Sequence, residues 1–526
     1  MSANRVALFD TTLRDGAQAE GVNFSVQDKL HIAQLLDEFG LDYIEGGWPN
    51  PTNPKDTEFF ERARKEIKFK RAKLTVFGST RRAKNTAEED DNLRFLLAAE
   101  TPAVAIFGKS WDLHVEHVLR VSHDENLRMI EDSCRFLSKA GREVIFDAEH
   151  FFDGFKANPE YALATLEAAY QGGASTVCLC DTNGGTMPSE CAAICKEVAE
   201  KSSGLWGIHV HNDSGCAVAN TIIGVEMGAS QVQGTTNGWG ERCGNADLMT
   251  VIPNLQLKLG LAEVSEAQLN RITELSRQVC EIANLAHNER APYVGASAFA
   301  HKGGMHINGV SKVSRSFEHV PPESVGNTRR ILVSDQSGAT TLILKLQSRY
   351  PELDKSDKKV KELLNYLKEL EALGYQFESA EATFELLATK ALEDYVAPFS
   401  VTGFRVFVGE QGGQRNIEAS VKVAVEGTEF HTAAEGNGPV NALDTALRKA
   451  LRNFYPEIDD IELTDYKVRV LEAKSGTATI VRVLVESKDN EGTWGTVSAS
   501  TDIIEASYQA LVDSLEYGLL RHRQQA

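Results

Sequence analysis

The chain has 526 residues, 42% of them hydrophobic and 25% charged, with a formal net charge of -20. This length exceeds one compact core, so two or three domains are expected. The acidic balance excludes nucleic acid and an anionic membrane as partners, and no apolar run approaches the roughly 20 residues of a membrane span; a small anion in a local basic pocket stays allowed.

The N-terminal MSANRVALFD enters a strand almost at once, so no signal peptide is expected and the cytosol is the expected compartment. Eight short apolar runs follow, at 6–10, 42–46, 74–78, 103–107, 143–149, 176–181, 206–211 and 231–235. Helix-like segments lie between them, among them 25–39, 124–140, 159–171, 188–201 and 244–259. Ser25 followed by Asp28 has the spacing of a helix cap, and Pro159 and Pro188 suit first-turn positions. The runs are continuously apolar, as parallel strands covered on both faces should be. Eight strand–helix units predict an α/β fold, a (β/α)8 barrel over residues 1–260, rather than an open sheet.

In such a barrel the chemistry sits at the C-terminal ends of the strands. The polar residues ending these runs are Asp10 with Arg14 and Asp15, Glu45, Glu149 with His150, Asp181 with Thr182, His209 with His211, and Thr235 through Asn237. Nearly every carboxylate and imidazole of the strand runs falls at that one end. His209 and His211, two apart on a strand, project from the same face.

Residues 261–395 read as a linker region, with long helical patterns around a Gly-rich stretch that holds His301 and His306. Two histidines among glycines suit either a loop reaching a site or a plain surface loop. From 396 to 526 an internal repeat is predicted: an alternating strand (421–426, then 481–486) followed by a helix (441–454, then 505–519), forming an α+β domain for ligand sensing, dimerisation or structure. The eight cysteines are scattered, and Cys178 and Cys180 read as small apolar residues of a reduced protein rather than zinc ligands.

Brought to one barrel mouth, Asp15, His209 and His211 supply three ligands for a divalent metal, with Asn245, read at the start of a helix, as a neutral fourth. That donor set suits Mg²⁺ or Mn²⁺, with Zn²⁺ as the alternative. Open positions would chelate a 2-oxo acid, and Arg14 would stabilise charge on its oxygen unless it serves as a salt bridge to a barrel carboxylate. Hydride transfer and nucleotide hydrolysis are disfavoured, because neither G-x-G-x-x-G after a strand nor G-x-x-x-x-G-K-[ST] occurs.

TTLRDGAQ (11–18), HVHND (209–213), GERCGN (240–245), AFAHKGGMH (298–306) and STDIIEAS (500–507) together resemble the 2-isopropylmalate, homocitrate and citramalate synthase family. The resemblance spans essentially the whole chain, in the family's order of barrel, linker and regulatory domain. GGWPNPTNPKD (46–56) and EHVPPESVGNTRRILVSDQSG (318–338) look most like the citramalate-forming branch. Ser334-Asp335-Gln336-Ser337-Gly338 stands where the isopropylmalate branch usually carries Gly-Lys-His-Ser-Gly.

The resemblance implies condensation of acetyl-CoA with pyruvate and thioester hydrolysis, on a route to isoleucine; the alternative acceptor is 2-oxoisovalerate. It implies metal binding by Asp15, His209 and His211 with Asn245 near or in the shell. It also implies oxo-acid polarisation by Arg14, carboxylate binding by Thr182, acetyl positioning or proton transfer by Glu149, and His306 rather than His301 as base. A homodimer and an amino-acid effector, isoleucine or leucine, complete the expectation.

Overall fold

The computed structural model describes residues 5–525 apart from 262–263, 334–336, 348, 413 and 472–478, so Ser334, Asp335 and Gln336 of the diagnostic string lie outside the described residues. The chain divides into two compact units: Met1–Phe299 with Val320–Arg329, and Ala300–His319 with Arg330–Ala526.

In the first unit the eight apolar runs are eight parallel strands closed into a barrel in sequence order. They are β1 (Ala7–Asp10), β2 (Tyr43–Gly47), β3 (Lys73–Ser79), β4 (Ala103–Lys109), β5 (Glu143–Glu149), β6 (Thr176–Asp181), β7 (Trp206–Val210) and β8 (Gln231–Gly234). Alternation along each strand sorts its residues into two environments. Val104, Ile106, Val144, Phe146, Val177, Leu179 and Ile208 join the main core between strands and helices. Their neighbours point inward. On the side of the first four strands the interior carries an apolar cluster, Phe9, Phe77, Ala103 and Ala105 with Ile145. On β5 to β8 the inward positions are Asp147, Cys178, Cys180, His209, Gln231 and Gln233, all buried.

Helix boundaries follow local chemistry. Ser25 caps the helix Val26–Phe39, its hydroxyl accepting from the Asp28 amide while the Asp28 carboxylate accepts from the Ser25 amide. Pro159 and Pro188 open their helices. The segment expected as one helix over 244–259 is instead a helix at Leu248–Pro253 and a wider turn at Asn254–Lys258.

The barrel closes where β1 pairs with β8, from Ala7 opposite Gln231 to Asp10 opposite Gly234. The buried Asp10 carboxylate secures this seam. It accepts the Thr12 amide and hydroxyl (both 2.8 Å) and the Thr236 amide and hydroxyl (3.2 and 3.0 Å). Burial nevertheless pushes its pKa up to about 6, against the pull of those four donors.

The second unit opens with a short parallel pair, β9 (Ala300–His301) and β10 (Arg330–Ile331). Helices Ala339–Leu346, Lys358–Ala372 and Glu381–Leu392 pack around Leu363 and Phe384. Two β-β-β-α repeats follow. The first is β11 (Ser400–Gln411), β12 (Gln414–Val425), β13 (Thr428–Glu435) and the helix Pro439–Leu451; the second is β14 (Glu462–Val470), β15 (Val481–Asp489), β16 (Gly492–Ser500) and the helix Ile503–Gln525. The one strand per repeat expected from sequence is the central strand of each sheet. Its apolar side, Ile417 to Val425 or Val481 to Val485, is buried.

Asp513, on the last helix, is buried and accepts from Gln509 Nε2 at 2.9 Å. Burial raises its pKa to about 7, although Lys390 opposes the shift; Glu516 adds to it. The folded state therefore keeps a proton that the unfolded chain releases near pH 4, and stability falls as pH rises from there through about 7. Asp513→Asn, which carries no charge, should melt above wild type by a larger margin at pH 8 than at pH 5. Differential scanning calorimetry at the two pH values checks this, and an equal loss at both would contradict it.

Candidate active site

Three carbonyl-centred hydrogen bonds shape the turn after β1. The amides of Arg14, Asp15 and Gly16 donate to the Thr11 carbonyl at 3.1, 2.8 and 3.1 Å, and the Thr11 amide donates to Gly234 of β8 at 2.8 Å. The Asp15 carboxylate is thereby carried over the barrel end, where its Oδ2 lies 3.3 Å from His209 Nε2 and 3.8 Å from His211 Nε2. One ligand atom from each of the three residues falls within 4.8 Å of the others, and all three residues are buried.

The charges at this point are set by opposing forces. Burial works against the Asp15 charge, but Arg14, then His209 and His211, outweigh it and hold the carboxyl well below its usual range. Burial also works against protonation of His209, yet Asp15 raises it overall. Burial and the neighbouring His209 push His211 down to about 4, so its imidazole is neutral and its lone pair available.

Asn245 does not start a helix. Asp247 caps the helix that begins at Leu248, while Asn245 forms an isolated antiparallel bridge with His211. The reason is Gly244, whose positive φ and 2.0 Å clearance from the Gly238 carbonyl at the Cβ position permit a tight turn before the helix. Asn245 Nδ2 donates to the Trp239 carbonyl at 3.1 Å. Among the described residues, Asn245 Oδ1 and His211 Nδ1 are buried without a hydrogen-bond partner. Orphaned donor and acceptor atoms on two bridged residues beside a carboxylate–imidazole cluster fit a site that takes a cation and its ordered waters.

Arg14 lies between two carboxylates. Its Nε donates to Glu45 Oε2 at 2.6 Å, a terminal nitrogen is 3.7 Å from Asp15, and its guanidinium carbon stands 3.8 Å over the Phe77 ring. Both readings of Arg14, salt bridge and site residue, thus hold together. Burial, with Asp147 adding to it against Arg14, lifts Glu45 to about 7. Phe77 stacks on Phe107 at 5.5 Å, and Trp48 meets both edge-on.

Glu149 ends β5 and is ion-paired with Lys109, the last residue of β4. Thr182 Oγ1 accepts the His150 amide at 2.9 Å, which leaves its own proton to donate. His150 is held in the left-handed region (φ 56°), strain of the kind that gathers at functional sites. A cavity of about 560 Å³ is lined by Arg14, Asp15, Trp48, Phe77, Phe107, Asp147, Glu149, Thr182, His209 and His211. Arg14, Asp15, Glu149, Thr182, His209 and His211 are therefore brought together, whereas Asn245 does not line the cavity and adjoins it only through its bridge to His211.

His301 and His306 belong to the second unit. His301 is buried and bonded through Nε2 to Glu318 Oε1 at 3.1 Å, whereas His306 is exposed and stacked on Phe317. Sequence reasoning missed Lys109, Gln233 and the Glu45 contact to Arg14. Parity along β4 and β8 points Lys109 and Gln233 to the interior, but the partner of Arg14 depends on the register between β1 and β2. Asp147, Cys178 and Cys180 form a second cluster of ligand-type atoms. In it Asp147 already accepts from Gln233, and burial pushes the Cys178 thiol far up, so it stays protonated.

The HMGL-like family model matches residues 5–279, the homocitrate synthase post-HMGL domain-like model 293–374, and the LeuA allosteric (dimerisation) domain model 378–519. The chain is 53% identical to the (R)-citramalate synthase of Geobacter sulfurreducens, covering 98% of this chain and 97% of that one. It is 51% identical to the (R)-citramalate synthase of Aquifex aeolicus, covering 99% of each. It is 32% identical to a probable 2-isopropylmalate synthase of Methanopyrus kandleri, covering 97% of each.

Removing one partner of a buried ion pair leaves the other charge uncompensated. Glu45→Ala should destabilise the barrel by about 1–3 kcal/mol, read as a lowered thermal transition, because it removes the acceptor of Arg14 Nε and leaves the guanidinium with Asp15 alone. An unchanged transition would contradict the pairing.

Proposed function

The chain belongs to the (R)-citramalate synthase family, and from that premise we propose that it condenses acetyl-CoA with pyruvate and hydrolyses the thioester, releasing (R)-citramalate and CoA. The observation that carries the reading is the gathering of Asp15, His209 and His211 beside Arg14 in one cavity at the C-terminal end of the barrel. A divalent cation held by those three ligands with Asn245 alongside, Mg²⁺ or Mn²⁺ with Zn²⁺ as the alternative, would supply Lewis-acid polarisation of the keto carbonyl.

The chain's own groups divide the remaining work. Arg14, its Nε fixed by Glu45, offers its terminal N–H groups to the oxygen on which charge develops. Thr182 donates its hydroxyl proton to the pyruvate carboxylate. Glu149, held by Lys109, positions the acetyl group or assists proton transfer. His306 takes the proton from the thioester methyl; its exposure supports it over His301, which Glu318 engages. That methyl is a weak acid, so stabilising the enolate matters as much as the base itself. Trp48, Phe77 and Phe107 crowd the space beside Arg14, which favours the small methyl group of pyruvate over a branched acceptor.

The allosteric (dimerisation) family match over 378–519 supports a homodimer under allosteric control; the effector proposed is isoleucine or leucine, and the route proposed is a cytosolic one to isoleucine. No described helix is long and apolar enough to cross a membrane.

Thiol-detected CoA release should depend on pyruvate and on Mg²⁺ or Mn²⁺, and a chelator should abolish it. Preference for 2-oxoisovalerate among pyruvate, 2-oxobutyrate, 2-oxoisovalerate and 2-oxoglutarate would overturn the reading in favour of isopropylmalate synthesis. Asp15→Asn should lower turnover by roughly 10³-fold or more, the several kcal/mol a Lewis acid contributes, in a protein that circular dichroism shows to be folded. Near-normal activity in that variant would remove Asp15 from the metal site.

A further inference from the structure

Gln233 is fully buried in β8, directly opposite His209 in the β7–β8 register. Its Oε1 lies 3.0 Å from His209 Nδ1, and its Nε2 donates to Asp147 Oδ1 at 2.9 Å and to Gln231 Oε1 at 3.4 Å. A carboxamide is a one-way link, with donors on its nitrogen and an acceptor on its oxygen. With two acceptors facing the nitrogen, the amide cannot turn over without setting its carbonyl against the Asp147 carboxylate and its N–H groups against the ring. The oxygen therefore faces His209, and Nδ1 must carry a hydrogen. The lone pair of the neutral ring is then on Nε2, the atom 3.3 Å from Asp15. Asp147 and His209 line the cavity while Gln233 has no exposed surface, so Gln233 acts through its neighbours.

We propose that Gln233 is a positioning residue for the metal site: the link Asp147–Gln233–His209 selects the His209 tautomer and ring orientation that present Nε2 to the cation. This rests on the metal-site reading above. Outer partners of this kind typically change metal affinity by 10–100-fold when removed.

The test is Mn²⁺ binding to the metal-free full-length protein, followed by the electron paramagnetic resonance signal of free Mn²⁺, for wild type, Gln233→Leu, Gln233→Glu and Asp15→Asn. Circular dichroism confirms folding of each. Gln233→Leu should bind Mn²⁺ about 10–100-fold more weakly. Gln233→Glu, protonated on the oxygen that faces Asp147, keeps an acceptor against Nδ1–H and should bind close to wild type. Wild-type affinity in folded Gln233→Leu overturns the proposal, as does an equal loss in the Leu and Glu variants. If Gln233→Leu does not fold, Gln233→Asn, whose shorter side chain withdraws the acceptor from the ring, is read by the same criteria. A wild-type protein that binds no Mn²⁺, or an Asp15→Asn variant that binds it normally, would instead sink the metal site itself and the proposal with it.

Discussion

Everything at the barrel mouth depends on how the first strand is tied to the last. Asp10 accepts four hydrogen bonds from Thr12 and Thr236, and Thr11 bonds to Gly234 across the same seam. These contacts close the barrel and also fix the turn that carries Arg14 and Asp15. Asp15 precedes His209 and His211 by 194 and 196 positions, and it meets them because this seam returns β1 to β8, next to β7. Slippage of β1 against β8 by one residue would move the carboxylate away from the imidazoles and exchange the environments of Leu8 and Phe9.

The barrel interior has two walls with different duties. Aromatic rings from β1 to β4 form one wall, where Phe77 supports the Arg14 guanidinium. Carboxylate, amide and imidazole groups from β5 to β8 form the other. The chain as a whole is strongly acidic, and its cavity lining carries Asp15, Asp147 and Glu149 beside Arg14, so binding of a small anion there would depend on the Arg14 terminal N–H groups and on a divalent cation.

Much of this was legible in the sequence. All eight barrel strands lie within two residues of the apolar runs, because the face that each strand turns to the helices is apolar. Arg14, Asp15, Glu149, Thr182, His209 and His211 line one cavity because strand ends share one side of a barrel. What stayed hidden was set by tertiary register: Glu45 against Arg14, Gln233 between Asp147 and His209, and Asn245 in a bridge rather than a helix. In the C-terminal repeat the exposed β13 and β14 escaped notice, since a strand without a buried face lacks the apolar alternation that marks β12 and β15.

The most direct test is anomalous scattering at the manganese edge from crystals soaked with Mn²⁺ and pyruvate. The account predicts one strong peak bounded by Asp15 Oδ2, His209 Nε2 and a His211 ring nitrogen, with the carboxylate and keto oxygens of pyruvate completing the shell. Pyruvate bound in the cavity with no peak there, or a peak at another cluster, would contradict it.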